Sequence, residues 1–283
     1  MKLSILILLI IIIVLVVFLV YIYFDNKKIE LTFLNIKNKK IPKVFDGFTI
    51  LQLSDLHSSE FGNNNEKLIN YINKANPDII VMTGDMISRT DKNGDIVLSL
   101  VKELNYKYPI YYILGNHELD VLDDEEEWIN DYLNKLDEMN VNILRDNYIV
   151  YQKENETINI YGFEIPKDNY VRFKKYTKIP LEIPKEISNI KENEFNILLA
   201  HNPAYFEKYA NIGYDLIFSG HVHGGSIRVP FFGGLLSSDV TIFPKYDAGM
   251  YKIKDSTLVV SRGFGGLRIF NRPNIVVVKL EYK

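Results

Sequence analysis

Apolar and polar positions fall along this chain in blocks that predict short strands, most of them ending in a polar cluster and many leading into a helix. Residues 3–24 come first and are apolar except for Ser4 and the tyrosine hydroxyls. A helix of about 20 such residues spans bilayer hydrocarbon, so the segment is long enough to be an uncleaved membrane anchor. No small-residue cleavage site follows it, and Tyr21 and Tyr23 stand where interfacial aromatics sit. From Ile29 the blocks shorten. Apolar runs bounded by turn residues predict strands over 29–36, 48–53, 78–82, 110–114, 141–144, 148–151, 158–161, 195–200, 214–218, 258–260 and 275–278. Lys37 to Lys40 reads as a polar turn. Helical spacing fits 65–75 and 94–105, and a further helix follows His201 with Pro203 in its first turn. The acidic cluster Asp123 to Glu127 is expected to open a helix through about 139, since carboxylates suit the positive end of a helix dipole. The polar stretch 164–193 reads as a loop with one short helix. The expected organisation is a transmembrane anchor over 1–25 and one catalytic domain over 26–283.

Composition narrows the partners. A 47 % hydrophobic content is ample for a core, and a net charge of −3 offers no basic field for nucleic acid, so none is expected. The absence of cysteine excludes disulfides, thiolate metal sites and a cysteine nucleophile. Lys2 and the amino terminus flank one side of the anchor, and Lys27, Lys28, Lys37, Lys39 and Lys40 the other. Counted by the positive-inside rule, the catalytic domain leans to the cytoplasmic side of the membrane.

The chemistry gathers where strands end. Predicted strands deliver, in order, Asp55 and His57, then Asp85, then Asn116 and His117, then His201, then His221 and His223. All 5 histidines are used. In layered α/β folds sites form at the carboxyl ends of strands, so these loops are expected to meet at one rim. His221 and His223, one residue apart between Gly220 and the pair Gly224-Gly225, can diverge toward two neighbouring points, which suits two metal ions. Imidazole, carboxylate and amide oxygen together suit two divalent ions, Mn²⁺ first and Fe or Zn²⁺ after it. Asp55 and Asp85 are the only anions in the set, so two such ions leave the site positive and attractive to a phosphoryl group.

Asp55-x-His57, Gly84-Asp85, Gly115-Asn116-His117-Glu118, His201 and Gly220-His221-x-His223 resemble, in order, the motifs of the calcineurin-like metallophosphoesterase superfamily. The resemblance runs from about residue 28 to the end. The stretches Val222 to Pro230 and Ser261 to Gly265 are similar to its bacterial membrane-associated phosphodiesterase branch, some of whose members cleave the pyrophosphate of UDP-diacylglucosamine. The resemblance implies an α/β fold, a four-layer α/β/β/α sandwich, here preceded by one N-terminal transmembrane helix. It further implies that one metal takes Asp55, His57, Asp85 and His223, and the other Asp85, Asn116, His201 and His221. The twin-arginine export signal of some relatives is missing.

That arrangement implies in-line attack on phosphorus by a metal-bridging hydroxide, with a proton needed at the leaving oxygen. His117, beside a ligand but outside the coordination sphere, is the candidate catalytic acid, with a supporting role behind a ligand as the alternative. Glu118 either orients His117 or caps the following helix, the latter slightly preferred, and Ser54 completes a turn. Arg262 either clamps a substrate phosphate or makes an ordinary ion pair. Residues 229–236 are too apolar for an ordinary exposed loop, and read as a lid or acyl groove, as a segment dipping toward the bilayer, or as a loop folded on the core. The reading is a membrane-anchored phosphodiesterase or pyrophosphatase acting on a phosphorylated, lipid-linked small molecule. Its competitors are a phosphomonoesterase or protein phosphatase on the same site, and a non-catalytic membrane scaffold.

Overall fold

A computed structural model describes every residue except Met1, 92–93, 171–179, 230, 238–239 and 267. Part of the expected 164–193 loop and Pro230 of the apolar 229–236 segment therefore lie outside the described residues. Helix α1 (Lys2–Asp25) is followed by β1 (Glu30–Asn38), β2 (Thr49–Leu53), α2 (Glu66–Ala75), β3 (Ile79–Thr83), α3 (Asp95–Leu104) and β4 (Ile110–Ile113). Next come α4 (Asn116–Asp124), α5 (Glu126–Glu138), β5 (Val141–Ile143), β6 (Asn147–Lys153), β7 (Glu156–Phe163), α6 (Lys185–Ser188), β8 (Phe195–Ala200) and α7 (Phe206–Ile212). The chain closes with β9 (Leu216–Ser219), β10 (Ile227–Val229), β11 (Gly233–Leu236), β12 (Gly249–Ile253), β13 (Ser256–Val260) and β14 (Asn274–Tyr282).

Two six-stranded sheets form, in the orders β1-β14-β2-β3-β4-β5 and β12-β13-β9-β8-β7-β6. Alternate residues of each central strand face opposite layers, which is why these strands read as unbroken apolar runs. Ile50, Val81, Tyr111 and Ile113 from one sheet meet Ile160, Ile197, Leu199 and Phe218 from the other in a buried layer between them. Leu51, Leu53, Ile80 and Met82 face the other way, onto Leu68 and Ile72 of α2 and Leu100 of α3. Leu198 and Ile217 likewise turn onto Phe206 and Tyr209 of α7. The result is the expected α/β/β/α sandwich.

Local detail departs from the one-dimensional pattern in places. Lys37 and Asn38 continue β1 rather than turning, because β1 runs alongside β14 to Tyr282. Lys37 is ion-paired to Glu281 and Lys40 to Asp215, both belonging to the folded domain rather than to the anchor's flank. The acidic cluster does not open a single helix: Asp123 and Asp124 end α4, while Glu126 and Glu127 occupy the first turn of α5. A helix starts as early as Asn116 because Glu118 caps it from within. Within the apolar segment, Val229 and Gly233–Leu236 take part in an antiparallel pairing of β10 with β11.

Candidate metal centre

Strands β2, β3 and β4 run parallel in one sheet, and β8 and β9 run parallel in the other. Their carboxyl ends therefore point to one rim, and there the folded chain gathers Asp55, His57, Asp85, Asn116, His117, His201, His221 and His223. Backbone bonds lace the loops together: Asp55 N–H donates to Gly84 O and His57 N–H to Asp85 O, each at 3.0 Å. His221 N–H donates to Asp55 Oδ1 at 3.0 Å, and His117 N–H to Asp85 Oδ1 at 2.8 Å.

Local conformation at this rim is costly. Asp55, His57, Asp85, His221 and His223 all have positive φ, between 48° and 69°. Left-handed backbone at a residue with a side chain costs roughly 1–2 kcal/mol, and such strain gathers at functional sites. Glycine relieves the tightest approaches. Gly84 has φ +88°, and a Cβ there would lie 2.7 Å from Gly115 Cα and 2.8 Å from His201 Nδ1. A Cβ at Gly220 would overlap Ser54 Oγ and Asp55 Oδ2.

The side chains converge on two points. Donor atoms of Asp55, His57 and His223 lie within 4.8 Å of one another, and so do those of Asp85, His201 and His221. Asp85 Oδ2 stands between the groups, 3.2 Å from His201 Nε2 and 3.9 Å from His57 Nε2. His223 Nε2 is 3.4 Å from Asp55 Oδ1. Ligands sharing one ion at about 2.0–2.2 Å are spaced by roughly 3 Å or a little more, so these separations fit two cations with Asp85 between them. Two histidines are fixed from behind. His201 Nδ1 faces Thr83 O at 2.6 Å and His223 Nδ1 faces Gly265 O at 3.2 Å, which directs each Nε2 inward.

Electrostatics agree with a cation site. Burial lowers the pKa of His57 and of His223 to about 3, and that of His221 well below the usual imidazole value. Those rings are neutral at pH 7, the form that binds metal. Against the effect of burial, the neighbouring imidazoles, His201 foremost, hold the Asp85 carboxyl well below the usual carboxylate range. Burial works against a charge on His201 too, yet Asp85 raises its pKa to about 10. That proton answers the two carboxylates, and it is what a cation bound there would displace. Asn116 Oδ1 is buried with no hydrogen-bond partner among the described residues. An acceptor left so is costly unless something electropositive meets it.

His117 sits closer in than the sequence reading placed it. One of its nitrogens lies within 4.8 Å of donor atoms of His57 and Asp85, with Nδ1 3.2 Å from His57 Nδ1. Arg89 brackets it, donating its N–H to Nδ1 at 3.2 Å and placing Nη2 3.0 Å from Nε2. Arg89 had no distinguishing mark in the sequence beyond being a cation in the loop after Gly84-Asp85. Arg262 Nη2 is 2.9 Å from Glu30 Oε1, and its stem lies against Gly224, so the structure gives it the ion pair. Ser54 does more than complete a turn, donating to Asp55 Oδ2 at 2.6 Å.

Glu118 carries more than sequence reasoning assigned it. Fully buried, its carboxylate accepts from Met86 N–H at 2.7 Å, Ile87 N–H at 3.2 Å and Tyr112 Oη at 2.7 Å, besides Asp85 and Gly115. Burial raises its pKa while these donors oppose the rise.

Comparison with known proteins gives the family. Residues 48–225 match the calcineurin-like phosphoesterase family model, and the chain belongs to that family. It is therefore a metal-dependent phosphoester hydrolase, of a family built on a dinuclear divalent centre. The chain is similar to the metallophosphoesterase YkuE of Bacillus subtilis, 29 % identical over 270 residues that cover 92 % of this chain and 88 % of that one. It is also similar to the UDP-2,3-diacylglucosamine pyrophosphatase LpxG of Chlamydia trachomatis, 24 % identical and covering 87 % and 88 % of the two chains. Among solved structures, TT1561 of Thermus thermophilus aligns with TM-score 0.48 and 12 % identity over 77 % of this chain and 90 % of that one.

Proposed function

We propose that the chain is a membrane-anchored phosphodiesterase or pyrophosphatase acting on a lipid-linked phosphorylated substrate. One observation carries the site assignment: two groups of donor atoms meet at Asp85 Oδ2. Asp55, His57, Asp85 and His223 would hold one ion, and Asp85, Asn116, His201 and His221 the other. A pair of divalent ions held there would supply polarisation of the phosphoryl oxygens and an activated water. The chain's own groups do the rest. Glu118 fixes the loop that carries Asp85, and Thr83 O and Gly265 O hold His201 and His223 in the tautomer that points Nε2 inward. His117, beside the rim and bracketed by Arg89, delivers the proton to the leaving oxygen. Manganese is the proposed native metal, with iron and zinc as the alternatives that the same imidazole, carboxylate and amide donors accept.

The anchor assignment rests on α1, which is long and apolar enough to cross a membrane and is only 6 % buried by the sandwich. We assign residues 1–25 to it and 26–283 to the catalytic domain. The lipid-linked substrate class rests on that anchor and on the similarity to LpxG. The test is a panel of soluble monoesters, soluble diesters and lipid-linked pyrophosphates, assayed with added Mn²⁺ on full-length protein in detergent. Lipid-linked pyrophosphate is expected to turn over fastest. Preference for soluble monoesters would replace the reading with a phosphomonoesterase.

A further inference from the structure

Helix α1 is not loosely tethered to the sandwich. Arg272 Nε donates to Asp25 Oδ1 at 2.8 Å, and Asn26 Nδ2 donates to Arg268 O at 3.0 Å. Two turns further back, the ring of Phe270 packs on Phe18 at 6.0 Å and on Tyr21 at 6.3 Å between centroids. The loop from Arg268 to Arg272 thus grips the end of the helix at two heights.

Those heights are informative. Asp25, paired with Arg272, marks where the apolar stretch ends. Tyr21 and Phe18 lie four and seven residues before it, hence about 6 Å and about 10 Å back along the helix. An apolar group lying at the headgroup–acyl boundary reaches about 5–10 Å into a bilayer. Phe270 contacts the helix at that depth.

Phe270 is not alone there. With Phe231 and Phe232, at the tip of the β10–β11 hairpin, it lines one cavity of about 470 Å³, which also includes Arg228 and Asp247. Phe231 is fully exposed to solvent, Phe232 is 75 % exposed and Phe270 51 %. Phe231 and Phe270 also hold positive φ, 71° and 55°, an unfavourable backbone for an aromatic residue. In water these rings gain nothing from that strain or that exposure. In the interfacial layer of a bilayer they gain both burial and an environment that favours aromatic side chains.

We infer that Phe231, Phe232 and Phe270 seat the sandwich in the interfacial layer of the bilayer that α1 crosses. This rests on the proposed membrane span but not on the substrate. The seat is close to the chemistry: next to Phe270, Asn271 Nδ2 donates to His223 O at 2.7 Å and Gly225 O at 2.6 Å. The metal-site turn is thereby tied to the segment that carries Phe270.

The experiment uses full-length protein reconstituted in vesicles of equal parts phosphatidylcholine and phosphatidylglycerol. The single tryptophan is first removed as Trp128→Phe. Tryptophan is then placed by Phe231→Trp, by Phe270→Trp, or by Tyr106→Trp, a 77 % exposed position at the amino end of β4 and so at the opposite edge of the sheet from the rim. Fluorescence is compared in vesicles with and without brominated acyl chains. Quenching at 231 and 270 is expected to exceed that at 106 by about twofold or more. Quenching at 231 and 270 no greater than at 106 overturns the inference. A hairpin variant that fails to fold leaves Phe270→Trp to decide. Mn²⁺-dependent hydrolysis of a soluble diester by the same preparations reports separately on the enzymatic reading.

Discussion

Glu118 Oε2 accepts the Asp85 N–H at 2.8 Å and the Gly115 N–H at 2.9 Å, so one buried carboxylate ties together the loops that leave β3 and β4. Removing it strands several buried donors, each at a cost of about 1–3 kcal/mol. Glu118→Ala is expected to destabilise the protein by about 3–5 kcal/mol in denaturant unfolding and to lose bound metal. Glu118→Gln, which keeps one acceptor oxygen, is expected to lose distinctly less. Equal stability of Glu118→Ala and the parent would remove the carboxylate from this role.

Asp85 and His117 separate binding from chemistry. Asp85→Asn is expected to abolish hydrolysis together with metal content measured by elemental analysis. His117→Ala is expected to retain metal and lower kcat by roughly 10²–10⁴, the usual range for a lost general acid. Loss of metal in the His117 variant would make that ring a ligand, a role its closeness to His57 and Asp85 leaves as the competing outcome.

Gly84→Ala tests the geometry of the rim without replacing a residue of the donor set, although its Cβ would also press on His201 Nδ1 at 2.8 Å. Its Cβ would meet Gly115 Cα at 2.7 Å in a backbone with φ +88°. Left-handed strain and overpacking together predict a loss of about 2–4 kcal/mol, with reduced metal content. A thermal midpoint equal to that of the parent would contradict the close approach.

Arg262 is held by Glu30 at 2.9 Å. Arg262→Ala is expected to leave KM for a soluble diester unchanged. A large rise in KM would instead establish it as a phosphate clamp.

Removal of metal by a chelator should stop hydrolysis, and Mn²⁺ should restore it. Because cations bind the folded centre, saturation at about a hundredfold over Kd should also stabilise the fold by about 2.7 kcal/mol. A melting temperature indifferent to Mn²⁺ would argue against a preformed site.

Much of this was written in the one-dimensional pattern. Strand apolarity placed most central strands within a residue or two, because residues buried on both faces admit little else. The donors sit where strands end, so Asp55, His57, Asp85, Asn116, His201, His221 and His223 were legible as a set. The helix at Asn116 was not, because its start depends on the buried Glu118, and the acidic run nearby carried the stronger local signal. The β10–β11 hairpin was missed because its short strands lack a clear alternation and are mostly only half-buried.

What the sequence determined by itself was which residue types arrive at strand ends, since period and turn chemistry are local properties. Only the tertiary structure decided that Arg89 brackets His117, that Arg262 is drawn off by Glu30, and that Phe270 meets α1. Those facts depend on packing between segments as much as 252 residues apart, as with Phe18 and Phe270. No local pattern encodes such a distance.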